Sequence, residues 1–332
     1  MKRQVSIDRF VSEIWKWFGV HKRDLPWRDL HHLSADERAY RVLVSEVMLQ
    51  QTQVTRVIVI YKRFLDEFPV LSDLAKASNR EMILAWRGMG YNSRALRLRD
   101  AAKEIVERSE KNPNFEIRNP KVFFPREMKD LMSLSGVGHY TAAALRNFAF
   151  NLPTPCIETN IRRVLHTKFV GPPNEDGTFK KDDQYLLKLA EEVLEVALRT
   201  CPGWVASRKS ASRQDSGQLV TCDMRLATAD WHAALMDYGS LALPKVRPKN
   251  AVKKKEPGRL VGSRYIPNRI FRGRVVEELR NEPKGLGSSE IGKRVCIDWK
   301  SSEHSKWFQS ILSALESDTL IEKKGRRYVL AV

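Results

Sequence analysis

No run of 18 apolar residues occurs in this chain, so no segment of it is expected to span a membrane. Cysteine is scarce: Cys156, Cys201, Cys222 and Cys296 are the full set, and no two are close enough to form a CxxC pair. That spacing excludes a zinc ribbon or a thioredoxin-type redox motif and suits scattered, reduced thiols. Alternating strand patterns are missing from the first 240 residues, which leaves an all-α body as the expectation. The opening MKRQVSIDRF is charged and lacks the apolar stretch of a secretory signal. A cytoplasmic (nucleoid-associated) or nuclear location is therefore expected.

What the chain has in excess is positive charge. Its 332 residues carry 58 Lys and Arg against 40 Asp and Glu, a formal charge of +18. Basic surface releases condensed counterions when it meets phosphate, so nucleic acid is the first partner to consider. A plain solubility charge is the alternative. The length suits two or three domains, and 42% hydrophobic residues suffice for a sizeable core.

Helical spacing runs through Val42, Val44, Val47, Met48, Val54 and Val57. It resumes at Ile83, Leu84, Trp86, Ala95, Leu98, Ala101, Ala102 and Ile105. Phe68-Pro69 and Gly88-Met89-Gly90 punctuate it. Gly203 to Arg225, rich in Ser, Arg and Gln, reads as an inserted loop. Composition breaks after Leu243: residues 244–264 contain Pro244, Pro248, Pro257 and Lys253-Lys254-Lys255, and read as a basic linker. Residues 265–332 then predict three short helices (270–279, 289–295 and 303–315) and two strands (319–322 and 328–331). The strands flank the turn Lys323-Lys324-Gly325-Arg326-Arg327. This pattern suggests a winged-helix-like α+β module, a type that binds DNA or protein.

Three segments carry chemistry. In Leu134-Ser135-Gly136-Val137-Gly138-His139-Tyr140-Thr141-Ala142-Ala143 a helix ends, two glycines turn, and a helix opens. Both glycines are expected at positive φ, with backbone amides aimed outward at a phosphate. An ordinary helix–helix turn would look similar. In Ser45-Glu46-Val47-Met48-Leu49-Gln50-Gln51-Thr52-Gln53, Glu46 stands on an apolar helix. Desolvation there raises a carboxyl pKa and suits it to donate a proton; a structurally paired glutamate is the plainer alternative. In Cys156-Ile157-Glu158-Thr159-Asn160-Ile161-Arg162-Arg163-Val164, Glu158 and Asn160 open a helix and taken alone look like capping residues.

Together, and in this order, the segments resemble the A/G-specific adenine DNA glycosylases of the helix-hairpin-helix superfamily. The resemblance runs from about Phe10 to Leu243. It rests on Arg23-Asp24-Leu25-Pro26-Trp27-Arg28, SEVMLQQTQV at 45–54, Gly88-Met89-Gly90-Tyr91, GVGHYTAAA, ETNIRRV, and Ala234-Leu235-Met236-Asp237-Tyr238-Gly239. It implies an all-α two-lobe fold, with one lobe from 1–28 and 140–243 and a six-helix lobe from 29–139 carrying the hairpin. It implies a monomer acting on double-stranded DNA that contains a mispair or oxidised base. By the resemblance, Glu46 protonates the extruded purine, and Glu158, where the family has Asp, stabilises the sugar cation with Asn160 beside it. Tyr140 stands where lyase-active relatives carry a lysine, so no Schiff base is expected. Arg23, Leu25, Trp27 and Arg28 are expected in the base pocket. Gln50, Gln51, Tyr91, Gly136, Val137, Gly138, His139 and Thr141 are expected at the DNA. Lys323, Lys324, Arg326 and Arg327 at the wing tip join them.

Three departures shape the expectation. Relatives commonly close this body with four cysteines on an iron–sulfur cluster, and Tyr238 to Glu256 has none. A cubane needs four thiolates, so no cofactor is expected. Ala233 stands where a Gln or Glu often faces the adenine. The C-terminal module differs from the usual lesion-recognition domain. A monofunctional adenine glycosylase is therefore expected; a thymine or uracil mismatch glycosylase, or a non-catalytic DNA-binding protein, is the alternative.

Overall fold

The computed structural model describes residues 2–111, 122–201, 227–244 and 256–332. The expected insertion at 203–225 and the lysine run at 253–255 lie outside these residues. In chain order the helices are α1 (Lys2–His21), α2 (Ala35–Leu49), α3 (Val54–Glu67), α4 (Leu71–Lys76), α5 (Asn79–Ala85), α6 (Ser93–Glu110), α7 (Met128–Met132) and α8 (His139–Ala144). A π-helical turn (Leu145–Ala149) extends α8; then come α9 (Thr159–Phe169), α10 (Asp183–Arg199) and α11 (Ala227–Leu241). The C-terminal part runs β1 (Gly258–Val261), β2 (Arg264–Pro267), α12 (Asn268–Asn281), β3 (Leu286–Gly287), α13 (Ser288–Val295), α14 (Ser301–Ser317), β4 (Ile321–Lys324) and β5 (Arg327–Leu330).

The chain divides into two compact units, Met1–Glu46 with Phe123–Val252, and Val47–Val122 with Lys253–Val332. The lobe boundaries expected after residues 28 and 139 both fall inside the first unit.

In the first unit α1 presents Ile7, Phe10, Val11, Ile14, Trp15 and Phe18 at helical spacing, and all six are buried. They share a core with Val164, Leu165, Leu189, Val193, Trp231 and Leu235 from α9, α10 and α11. The Trp15 and Trp231 rings lie 5.2 Å apart, and the Trp15 indole N–H donates to the Ala197 carbonyl at 3.3 Å. Each large apolar side chain buried here contributes roughly 1.5–3 kcal/mol. Leu241, one turn beyond Tyr238, is 56% exposed and takes no part in this core.

In the second unit α3 to α6 pack around Phe64, Leu74, Met82, Ile83, Trp86 and Leu98. Ser78 and Glu81 close α5 with a reciprocal capping box. The C-terminal module follows the winged-helix-like pattern: α12, α13 and α14 pack with a three-stranded sheet of order β3-β5-β4, and β4 and β5 join through Gly325 at φ 63°. The expected linker is partly wrong. Gly258–Val261 pairs antiparallel with Arg264–Pro267, so the module begins before residue 265. The module is also held to its own unit by specific bonds. Arg280 donates to the Ile83 carbonyl at 2.8 Å and to Asn92 Oδ1 at 3.2 Å. Arg87 reaches Asn281 Oδ1 at 3.1 Å, and Asn79 reaches the Thr319 carbonyl at 3.2 Å.

Candidate active site

Glu46 is the last residue of the first unit. Its neighbours on α2 (Val42, Leu43, Val44 and Ser45) are buried, and Glu46 itself is only 7% exposed. Burial pushes its carboxyl pKa up to about 7, the nearby Glu158 adds to the rise, and a hydrogen bond from Tyr140 and the charge of Arg28 oppose it. At neutral pH such a group is divided between acid and carboxylate, and the acid form has a proton to give.

The hairpin supplies Tyr140. After α7 the chain turns at Gly136, whose φ of 74° favours glycine, and Val137 N–H donates to the Leu134 carbonyl at 3.1 Å. Gly138 departs from expectation: at φ −90° and ψ 179° it is extended backbone that any residue adopts. Gly136, Gly138 and His139 are exposed. Val137 and Thr141 are buried. Tyr140, one residue into α8, sends its hydroxyl to Glu46; burial and the surrounding carboxylates hold its pKa well above the ordinary phenol value.

The second carboxylate comes from the loop before α9. Asn147, on the π turn and buried, clamps this loop by donating to the Thr154 carbonyl at 2.8 Å and accepting from Thr154 N–H at 2.9 Å. Glu158 then caps α9, accepting from Ile161 N–H at 2.7 Å, while Asn160 Nδ2 donates to it at 3.3 Å. The capping reading is correct as local geometry, and the capped carboxylate also faces Glu46 and Tyr140 electrostatically. Burial raises its pKa, and the amides and side chain of the helix N-terminus oppose the rise. Gly239 of α11 lets this helix come close: a Cβ there would lie 2.7 Å from Asn160 Cβ and the Asn160 carbonyl oxygen.

One residue missed in the sequence organises the pocket. Asp237 of α11 is fully buried and accepts from Arg23 Nε at 2.6 Å, Arg23 N–H at 3.0 Å, and Arg28 Nη1 and Nη2 at 2.7 and 2.8 Å. Burial alone would raise its pKa; Arg28 and Arg23 hold it below the usual carboxylate value. An aspartate among Ala233, Ala234, Leu235 and Tyr238, all buried, required a cationic partner. Arg23, Trp27, Arg28 and Ala233 line a cavity of about 590 Å³, a volume suited to a small flat molecule. Leu25 is buried and is not among the lining residues.

In the second unit Gln51 and Tyr91 have φ of 54° and 46°. Left-handed backbone at residues other than glycine costs roughly 1–3 kcal/mol and persists only where neighbours enforce it. Arg94, buried, enforces both turns: it donates to the Val47, Met48 and Gln50 carbonyls and Thr52 Oγ1 on one side, and to the Met89 and Gly90 carbonyls on the other. Gln50, Gln51 and Tyr91 are exposed at these turns. Lys323, Lys324, Arg326 and Arg327 are exposed on the β4–β5 hairpin.

Residues 44–210 match the model of the HhH-GPD superfamily base excision DNA repair proteins. The chain belongs to that superfamily. An adenine DNA glycosylase of Mycolicibacterium smegmatis is 37% identical over 328 residues, covering 96% of this chain and 95% of that protein. The adenine DNA glycosylase of Mus musculus is 39% identical over 196 residues, 58% of this chain and 35% of that protein; the match thus spans about a third of the mammalian relative's length. The structure of a thermostable thymine-DNA glycosylase superposes with a TM-score of 0.52 at 22% identity, over 75% of this chain and 93% of that one, and shares the fold.

A cubane iron–sulfur cluster needs four thiolates. Tyr238 to Glu256 contains no cysteine. Cys156 and Cys201 are separately buried in the first unit, and Cys296 belongs to the second.

Proposed function

We propose that this chain is a monofunctional DNA glycosylase of base excision repair that removes adenine mispaired with 8-oxoguanine or guanine, and that it works on double-stranded DNA without a cofactor. The observation that carries this is a pair of carboxylates with different environments: Glu46 buried in an apolar helix face, Glu158 half-buried at a helix N-terminus. Glu46 donates its proton to a ring nitrogen of the extruded purine, which leaves as a neutral base. Glu158, held by Ile161 N–H and Asn160, keeps negative charge beside the sugar as it becomes oxocarbenium-like and orients the attacking water. Arg23 and Arg28, fixed by Asp237, hold the pocket's shape while Trp27 offers a flat apolar wall. Gln51 and Tyr91 enter the duplex, where their enforced backbone needs no rearrangement on binding. Tyr140 has no amine, so hydrolysis ends with an intact abasic strand. Relatives named adenine DNA glycosylase support this reading.

Release of thymine or uracil is a second reading, favoured by one feature: Ala233 leaves the pocket without a polar side chain at that position. Single-turnover incubation with duplexes holding A:8-oxoG, A:G, T:G and U:G pairs separates the two. Release from the A-containing duplexes, with no adduct trapped by borohydride, is the expected result. Release confined to T:G or U:G overturns the adenine assignment.

A further inference from the structure

The second unit holds a groove of about 750 Å³ beside the Gln51 and Tyr91 turns. The strained turns at Gln51 and Tyr91 form one wall, and α12 forms the other. Its charge is one-sided: Arg56, Arg269, Arg272, Arg274 and Arg280 line it against a single carboxylate, Glu277. Arg280 is committed to carbonyls and Glu277, and Arg274 donates to the Val295 carbonyl at 3.0 Å, so these two are struts. Arg56 is exposed. Arg269 and Arg272 pair with Glu256 and Asp318 in solvent-exposed bridges. Exposed pairs of that kind are weak enough to be exchanged for a phosphate.

Gly273 is the independent observation. It sits inside α12, where glycine weakens a helix relative to alanine. A Cβ at this position would meet nothing within 4 Å, so no packing inside the protein requires its absence. Yet Gly273 lines the groove between Arg272 and Arg274. A residue that costs helix stability and leaves open space between arginines is what a closely approaching external backbone needs.

We propose that this groove holds the sugar-phosphate backbone of duplex DNA, with Arg56, Arg269 and Arg272 on the phosphates and Gly273 as the point of closest approach. The C-terminal module then meets DNA through α12, across the groove from the Gln51 and Tyr91 turns, in addition to any contact at the wing. The groove's ligand follows from the reading of the chain as a DNA glycosylase, but its test does not depend on base release.

Binding of the full-length protein to an undamaged duplex and to an A:8-oxoG duplex is measured over a series of salt concentrations, by fluorescence anisotropy. Three proteins are compared: wild type, Gly273→Leu and the double variant Arg269→Ala/Arg272→Ala. Thermal melting shows whether each is folded. Gly273→Leu should melt no lower than wild type and bind both duplexes at least about tenfold more weakly. The double variant should lose affinity on both duplexes, with a log–log salt slope shallower by about two, since each phosphate contact contributes roughly 0.9. Wild-type affinity and slope in both folded variants overturn the proposal. If wild type binds and the variants lose affinity while no base is ever released, the groove stands and the glycosylase reading fails. If base is released and the variants bind as wild type, the reverse holds.

Discussion

The Tyr140 hydroxyl donates a hydrogen bond to the Glu46 carboxyl group. This pairing puts a phenol directly on the proposed proton donor. Tyr140 stays a neutral phenol across the working range, because burial and two carboxylates raise its pKa. It can steady Glu46 without competing for its proton.

The rate of base release should therefore report Glu46. With a pKa pushed up to about 7, the acid form dominates below neutrality and is lost above it. The single-turnover rate should be level from about pH 5.5 to 6.5 and fall about tenfold per unit above about pH 7.5. A rate that keeps rising to pH 9 would assign the donor elsewhere.

Stability should carry the same signature. A carboxyl whose folded pKa exceeds its unfolded value binds its proton more tightly when folded. Its stabilising contribution is complete below about pH 4.5 and is lost as pH rises through about 7. Glu46→Gln stays neutral throughout. It should match wild type near pH 4 and exceed it at pH 8, by up to about 3 kcal/mol from a shift of roughly two and a half units. Denaturant unfolding at the two pH values measures this. Equal stability at both would mean that Glu46 is solvated.

Asp237→Asn should damage fold and pocket together. Arg23 and Arg28 would face each other with their shared counter-charge removed, and breaking a buried pair on one side costs roughly 3–5 kcal/mol. Unfolding by urea should show a loss of that order, and the surviving protein should release base more slowly. A loss under about 1 kcal/mol would show the bridge to be dispensable.

What was legible in the sequence follows the range of the interaction. Glu46 declared itself because its surroundings on α2 are local: apolar residues at helical spacing around one acid. The β4–β5 hairpin was legible for the same reason, from alternation around Gly325. Asp237 was quoted within a motif yet given no role, because its partners stand 214 and 209 residues away. β1 was read as linker because it follows a stretch holding Pro244, Pro248, Pro257 and three lysines, and its pairing with β2 rests on backbone bonds that composition does not encode. The packing of α12 against its unit rests on Arg280 and Ile83, 197 residues apart. Gly138 misled because glycine permits positive φ without requiring it.

The most direct measurement is the yield of free adenine from an A:8-oxoG duplex, followed by mass spectrometry with wild type and Glu46→Gln, alongside the affinity of each for the same duplex. Wild type should release one adenine per duplex, and Glu46→Gln should release none detectably while binding within about twofold of wild type, since the amide keeps the shape and removes the proton. Adenine release by Glu46→Gln at a rate near that of wild type, or no adenine from wild type at any pH between 5.5 and 8, would contradict the account.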